Sequence, residues 1–350
     1  MTVTSQDSRG TSVTSGNTAT TVQFAISEQG SFSFVLNGDT PSAGMIATNA
    51  SEHEVAQFKL TSVDDSSNLT EITMSNHPTS TSVATDTADP RIAAVKLYDG
   101  VTLIDSFVPV NGAGTFTITN NRIIVDANTQ RVLSIKVALN NIINDSTATD
   151  KDLKLMVTDY KYKTSAGSLI DTPAQTILAN NFRIRKTVPT IALMALPDTN
   201  LNAGNKVVSK FTVTADANAD VTLRKVVLTY ATTSQATIAT LAANSVKVNG
   251  SVKTASSTVA NTGVGAGTIT LAFGTDEVIS AGTTKTFEIL ATVGVTGTGS
   301  DSITTNIVAD GYYATTGSFE WSDNASITTP TWSNGYTVAG LTTDTQVLSK

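Results

Sequence analysis

Carboxylate side chains gather in two short polar segments, which hold the best candidates for binding chemistry in this chain. Asp64 and Asp65 are adjacent in the first segment, and Asp216, Asn218 and Asp220 alternate in the second. Calcium takes about six to eight oxygen ligands, often from Asp side chains and loop carbonyls. We therefore treat Asp64, Asp65, Asp216 and Asp220 as candidate calcium ligands.

The second acidic segment begins like an EF-hand loop and then departs from one. Val221 stands where that loop needs Gly, and Val227 where its bidentate Glu belongs. Asp and Asn are also the residues that ordinary turns use, because their short side chains accept hydrogen bonds from nearby backbone N–H groups. Two metal-free turns are the alternative interpretation.

Other residues that could perform catalysis are scarce. Cysteine is absent, which excludes a thiol nucleophile, a disulfide framework and a cysteine-ligated metal. The two histidines, His53 and His77, bring too few neighbouring ligands for zinc. No G-x-S-x-G elbow occurs, and the glycine-rich segment 263–267 lacks the lysine of a phosphate-binding loop. The sequence predicts that the protein is not an enzyme.

The net charge and the hydropathy of the chain disfavour several classes of partner. The formal net charge is −7, which disfavours nucleic acid and anionic membrane surfaces. No apolar run approaches the roughly 18 residues of a membrane helix, so we expect no membrane insertion. The first 21 residues show no basic start followed by an apolar run. If the protein is exported, we expect its signal peptide to have been removed.

Three segments of the first half recur in the second half, at a distance of about 150 residues. A repeat of this length is a whole domain, too long for a solenoid unit. The pattern predicts two copies of one domain. The paired segments are 95–100 with 246–250, 114–118 with 267–271, and 125–135 with 279–289.

Short alternating segments rich in threonine follow one another along the chain, as in residues 54–60. Threonine is β-branched and suits a half-exposed strand. Asn-Gly pairs, which favour two-residue hairpin turns, punctuate these segments at Asn37, Asn111, Asn249 and Asn334. The pattern predicts an all-β protein built from antiparallel β-sandwiches. Residues 141–149 and 234–244 are alternatively short helices or loops.

Domain boundaries follow from composition and proline. Residues 1–21 are polar and predict a flexible arm, or alternatively a β-arm that adds to the sheet of a neighbour. Pro189 lacks a backbone donor and restricts Val188, which favours a linker or an edge strand there. We predict a first sandwich over residues 22–187 and a second over 188–350.

The C-terminal region carries a recognisable motif, FEWSDNAS at 319–326 followed by WSNGYTV at 332–338 and by Gly340 and Leu341. With it, residues 22–350 resemble S-layer-like or adhesin-like surface proteins of ultrasmall candidate-phyla bacteria. The resemblance implies tandem immunoglobulin-like modules, a location on the cell surface and a structural role. It carries over no catalytic residue.

These observations lead to one functional expectation and two alternatives. We expect an extracellular structural protein that builds or extends an S-layer-like surface by contacts between its own copies. The first alternative is an adhesin that recognises a glycan, a cell-wall polymer or a protein through apical loops. The second is a filament subunit joined by strand exchange.

Overall fold

In the computed structural model, the described part of the chain consists of strands, turns and loops. It comprises residues 4–6, 12–14, 30–48, 52–76, 91–142, 151–233, 235–260, 262–296, 298–310, 317–325, 332–333, 335, 338–341 and 344–350.

Twenty-seven strands and no helix occur in these ranges, so the all-β prediction is confirmed. No helix long and apolar enough to cross a bilayer is found there. The strands are β1 (Thr4–Gln6), β2 (Ser12–Thr14), β3 (Ser31–Leu36), β4 (Gly44–Ala47), β5 (Glu52–Val63), β6 (Ser67–Asn76), β7 (Ile92–Asp99), β8 (Thr102–Phe107), β9 (Ala113–Thr117), β10 (Ile124–Val125), β11 (Thr129–Leu139), β12 (Lys151–Leu153), β13 (Leu155–Thr164), β14 (Leu169–Thr172), β15 (Ile177–Leu178), β16 (Phe182–Arg185), β17 (Pro189–Leu193), β18 (Gly204–Ala215), β19 (Val221–Thr232), β20 (Ala236–Val248), β21 (Ser251–Lys253), β22 (Ala255–Ala260), β23 (Ala266–Ile279), β24 (Thr284–Val295), β25 (Ser302–Asn306), β26 (Phe319–Ser322) and β27 (Gln346–Ser349).

Two antiparallel sheets enclose the N-terminal core, a cluster of buried apolar side chains from β3 to β16. One sheet has the order β3-β5-β11-β7-β8, and the other has the order β10-β6-β13-β14, with β9 also on β6 and β15 on β13. Alternation decides which side chains enter the core: Leu133, Ile135 and Val137 of β11 are fully buried while their neighbours face outward. Each such burial stabilises the fold by about 1.5–3 kcal/mol.

A second pair of sheets encloses the C-terminal core, whose buried side chains come mostly from β17 to β27. Its sheets have the orders β17-β18-β24-β20-β21 and β22-β23-β19-β25-β27, with β26 also on β19. Phe211 and Phe287 stack in this core with their ring centroids 5.2 Å apart. Thus the buried apolar side chains of the described ranges form two main clusters, each between two sheets.

The strand order in both pairs of sheets is that of an immunoglobulin-like sandwich. In such domains one sheet has the order A-B-E-D and the other has G-F-C. Strands β3-β5-β11-β7 and β14-β13-β6 occupy these positions, and so do β17-β18-β24-β20 and β27-β25-β19. The predicted class, an immunoglobulin-like antiparallel β-sandwich, is confirmed, with β8–β10, β15, β21–β23 and β26 as additional strands of these sheets.

Strand register also corresponds between the two halves. The matching pairs are Ser67–Val125 and Glu71–Thr117 in the first half, and Val221–Ile279 and Lys225–Ala272 in the second. This register places Leu271 at the position of Phe116. The sequence alignment of 114–118 with 267–271 was therefore two residues out, a shift that keeps every side chain on the same face of the sheet.

Two of the four predicted Asn-Gly turns have the expected backbone. Asn111 and Asn249 have φ of 51° and 49°, each followed by a glycine with positive φ, and both turns join antiparallel partners. Asn37 behaves differently, because β3 pairs with β5 and the chain continues from Asn37 towards β4. Asn334 lies outside the described residues.

The suggestion of a helix or a loop at 234–244 was wrong. Strand β20 covers most of this segment, where Ile238 pairs with Val293 of β24. The register shifts between Leu241 and Val246. The shift interrupts the strict alternation of side chains, so the apolar residues here do not show the two-residue period of a regular strand. Pairing with β24 nevertheless makes the segment a strand, because tertiary contacts override local preference. Most of 141–149 lies outside the described residues.

One buried acidic side chain depends on two lysines. Glu277 on β23 is only 4% exposed and bonds to Lys285 and to Lys253, whose Nζ lies 3.0 Å from Oε2. Burial alone would raise the pKa of Glu277, but the bonds to Lys285 and Lys253 outweigh it and hold the pKa below its ordinary value of 4.5.

Acid should therefore destabilise the protein partly through Glu277. Because its folded pKa is depressed, its stabilising contribution is complete above pH 4.5 and is lost as the pH falls through the folded pKa. We expect Glu277→Gln to lower the free energy of unfolding at pH 7 by about 2 kcal/mol and to flatten the decline below pH 4.5. Denaturant titrations across pH measure both effects.

The control is Glu288→Gln, which breaks a more exposed pair with Lys210 and should cost under about 0.5 kcal/mol. Equal slopes in wild type and Glu277→Gln would contradict the assignment.

Candidate functional site at the junction of the two cores

Three features that are distant in the sequence meet where the two cores adjoin. They are Lys186 beside the predicted boundary, Asp220 from the second acidic segment, and Asn324 from the C-terminal motif. All three line one open groove. We call the surrounding region the joint, comprising residues 183–188, 216–222 and 321–325.

A small sheet separates the two cores and presents a different face to each. Its order is β12-β16-β4, and β16 runs parallel to β4, unlike the antiparallel pairing of the large sheets. Alternation sends Ile46 and Ile184 into the N-terminal core and turns Met45 towards the C-terminal core. The small sheet thus belongs to the packing of both cores.

Asp323 is the central polar group of the joint. Its side chain is 5% exposed, and its two oxygens accept hydrogen bonds from different segments. Oδ2 lies 2.9 Å from the backbone N of Lys186, and Oδ1 lies 3.1 Å from the backbone N of Ala325. A charged acceptor strengthens both bonds. One carboxylate therefore ties the chain after β16 to the chain after β26.

The end of β26 and the residues that follow it pass from one core to the other. Trp321 is fully buried in the C-terminal core, whereas Ala325 packs in the N-terminal core. The guanidinium of Arg185, itself buried, lies 5.9 Å from the centre of the Trp321 ring, within reach of a cation–π contact. The motif that the sequence singled out is thus a structural connection between the cores.

Asn324 closes the joint on the side of the acidic segment. Its φ is 51°, a left-handed conformation that Asn tolerates better than most residues. Its Oδ1 accepts from the Thr222 hydroxyl at 3.1 Å, and its Nδ2 donates to the Asp220 carbonyl at 3.2 Å. These bonds hold the turn before β19 against the end of the motif.

The calcium candidates lie in two corresponding turns that connect one sheet of a sandwich to the other, one between β5 and β6 and one between β18 and β19. In the second turn, Oδ1 of Asp216 accepts from Asn218 N at 3.0 Å, and Oδ1 of Asp220 accepts from Ala281 N at 2.8 Å. Both carboxylates therefore serve as turn acceptors. The Lys186 side chain also lines the groove beside Asp220.

In the first turn, Asp64 has a φ of 63°, and Oδ2 of Asp65 lies 3.2 Å from Ser165 N. The hydrogen bonds from Ser165 hold the pKa of Asp65 below its ordinary value. Among the described residues, no group of three or more His, Cys, Asp or Glu side chains is placed to share a metal ion. Calcium binding by Asp64, Asp65, Asp216 and Asp220 stays a prediction.

A thermal melt with calcium or with a chelator tests that prediction. A ligand that binds only the folded state, present at about 100 times its dissociation constant, adds about 2.7 kcal/mol of stability. If the prediction is right, millimolar calcium should raise Tm, and Asp216→Asn combined with Asp220→Asn should abolish the rise. Magnesium is the matched control. Identical Tm values with calcium and chelator would leave the two segments as turns.

The histidine and aromatic candidates are placed as follows. His53 has Nε2 2.8 Å from the Ala47 carbonyl, and His77 lies outside the described residues. Phe319 is buried with Trp321, whereas Trp332 is partly exposed, with the Arg224 guanidinium 5.1 Å from its ring centre. Sequence reasoning missed Arg185, Lys186 and Asp323 as a group, because nothing in their spacing brings them together.

Comparison with known proteins shows likeness only among solved structures. No protein-family model matches the chain. No curated protein matches it either. The chain is similar to the AgI/II polypeptide BspA C-terminal domain of Streptococcus agalactiae, with 8% identity over 79% of this chain and 95% of that one and a TM-score of 0.19.

Two further structures show a comparable likeness. One is the C-terminal domain of the Streptococcus pyogenes antigen I/II-family protein AspA, with 9% identity, coverage of 92% and 98%, and a TM-score of 0.21. The other is BcpA, the major pilin subunit of Bacillus cereus, with 10% identity, coverage of 100% and 74%, and a TM-score of 0.26. Likeness at this level indicates nothing about ligands or assembly.

Proposed function

We propose that this chain is a structural module of a bacterial cell surface, exported and built from two tandem β-sandwich domains, residues 22–187 and 188–350. It would extend or tile the surface through contacts between copies. The observation that carries the proposal is the joint: the chain buries hydrogen-bonding and aromatic groups where two separate cores adjoin. Such a connection suits a module that keeps its length and orientation under load.

An ion pair at corresponding positions supports the duplication. Glu71 on β6 bonds Lys161 on β13 at 2.7 Å, and Lys225 on β19 bonds Glu320 on β26 at 2.8 Å. Glu71 and Lys225 have the same register in their sheets, so the two pairs occupy equivalent places with the signs reversed. Opposite charges across strands are favourable in either order. Two copies that diverged while keeping the pair account for this pattern.

Buried charge in the described chain also fits a structural role. Arg183 is 4% exposed, with Nε 3.3 Å from Oδ1 of the largely buried Asp152, and Asp323 ties two backbone segments. These groups hold strands and segments together. A structural module of this kind requires no catalytic group and no resident cofactor.

Electron microscopy of the purified protein, with calcium and with a chelator, tests the proposed function. We expect ordered sheets, lattices or filaments of the wild-type chain. A monodisperse particle that binds a defined glycan on an array would favour the adhesin alternative. Dispersed particles with neither assembly nor ligand would overturn the proposal.

A further inference from the structure

Strand β22 is an edge strand with an unpaired side. It pairs with β23 from Ala255–Phe273 to Ala260–Thr268, and among the described residues no strand pairs with its other edge. In an antiparallel ladder, alternate residues direct their N–H and C=O groups away from the partner. Strand β22 also approaches β20 of the facing sheet, but no pairing joins the two among the described residues, so the outer edge of β22 keeps backbone donors and acceptors without a strand partner.

This edge lacks the features that usually prevent strand addition. Edge strands are commonly protected by charged side chains, proline or a β-bulge. No charged residue and no proline occur between Lys253 and Asp276, and the pairing of β22 with β23 has no register shift. Ser256, Ser257 and Thr258 are exposed along the strand. Its composition is thus that of a pairing surface.

In the N-terminal half, the edge strand β8, which occupies the position of β21, is protected by charged side chains. The Arg122 guanidinium donates to the carbonyls of Leu103 and Ile104 on the edge strand β8, the former at 2.8 Å. Asp105 of the same strand accepts from Thr117 N at 2.7 Å, which ties β8 to β9. Charged side chains thus bond to the N-terminal edge strand β8, whereas β22 lies at the edge of the other kind of sheet and carries no charged residue.

We propose that β22 is an intermolecular pairing site and that its partner is β22 of a second copy, the two strands running antiparallel about a two-fold axis. This inference rests on the proposed function and names one of its contacts. Two identical strands match in length, and a two-fold axis makes them antiparallel. Because β22 carries no charge, self-pairing places no like charges opposite each other, although the chain as a whole has a charge of −7.

The small size of the β22 contact suits an assembly in which many copies of the contact act together. Two six-residue strands overlap for about 20 Å, which buries much less surface than a stable dimer of standard size. Such a contact is weak alone and becomes strong when several act together in a lattice or filament. We therefore expect reversible, concentration-dependent association.

Cysteine scanning tests the pairing directly, because the natural chain has no cysteine. Residues that face each other near the two-fold axis have Cβ atoms about 4.5–5.5 Å apart, which small adjustments bring into disulfide range. We expect Ser256→Cys, Ser257→Cys or Thr258→Cys to form a disulfide-linked dimer at least about tenfold faster than Thr304→Cys under mild oxidation. Thr304, half-buried on β25 three strands away in the same sheet, is the control position, because β25 is paired on both edges. Equal rates at all four positions would overturn the proposal.

A charge variant separates this inference from the proposed function. Thr258→Lys should weaken self-association in sedimentation velocity by at least about tenfold, whereas Thr304→Lys should behave as wild type.

If the wild-type chain and Thr258→Lys assemble equally, the β22 contact is wrong while the proposed function stands. If the wild-type chain stays monomeric over about a hundredfold range of concentration, both fail. If deletion of residues 1–20 removes assembly and no β22 cysteine cross-links, the partner is the N-terminal arm and β22 self-pairing is overturned.

Discussion

Replacing Trp321 with alanine should lower the free energy of unfolding by about 4 kcal/mol. Trp321 is fully buried in the C-terminal core, and it is the largest side chain that the described chain buries completely. Alanine would remove its apolar contacts and leave a cavity, since its strand is held by pairing with Leu223 on β19 and with Ser333. The substitution would also remove the ring that faces Arg185.

The chain provides its own control for this experiment, because it has only two tryptophans. Trp332→Ala removes a partly exposed ring and should cost about 1 kcal/mol or less. Urea titrations followed by circular dichroism measure both, and the remaining tryptophan reports by fluorescence in each variant. A loss below about 1 kcal/mol for Trp321→Ala would show that the site collapses around the missing ring.

Replacing Asp323 should have the second largest effect. Asp323→Ala would leave the backbone N–H groups of Lys186 and Ala325 without their acceptor in a buried place, at a cost of about 3 kcal/mol. Asp323→Asn keeps the shape but turns an N–H₂ donor towards one of these N–H groups. We expect it to cost about 2 kcal/mol.

Hydrogen exchange distinguishes a loosened joint from a general loss of stability. The Lys186 and Ala325 amides should exchange faster in both Asp323 variants than the general loss of stability explains, because their own bonds are removed. Asp39→Ala is the matched control, since Asp39 is exposed and should change stability by less than about 0.5 kcal/mol. Unchanged exchange at both amides would contradict the role given to Asp323.

Much of the fold could be predicted because it depends on the spacing of apolar residues along the strands and on the residue types that favour tight turns. Leu133, Ile135 and Val137 are apolar at every second position, which predicts a strand whose one face is buried. Asn111 and Asn249 precede glycines in turns that require positive φ at both positions. Both signals are local, so they can be recognised without knowing which strands become neighbours.

The candidate site was only partly visible in the sequence. The second acidic segment and the C-terminal motif each stood out, but one was interpreted as a possible metal site and the other as a family resemblance. The two segments are joined by hydrogen bonds of Asn324 with Thr222 and Asp220, which lie about 100 residues away in the sequence. The helix or loop suggested at 234–244 failed for a related reason, since pairing of Ile238 with Val293 decided the structure there.

The residue pattern alone establishes that this protein is all-β and that alternate, apolar residues of its strands face the sandwich cores. It also gives the positions of two tight turns. These properties follow from side-chain period and from the few residues that tolerate positive φ. The packing of the folded chain was needed to learn that Asp323 bonds Lys186 and Ala325, that Met45 turns towards the other core, and that no described strand pairs with the outer edge of β22. Contacts between distant segments depend on how whole sheets pack, and no local pattern of residues encodes that arrangement.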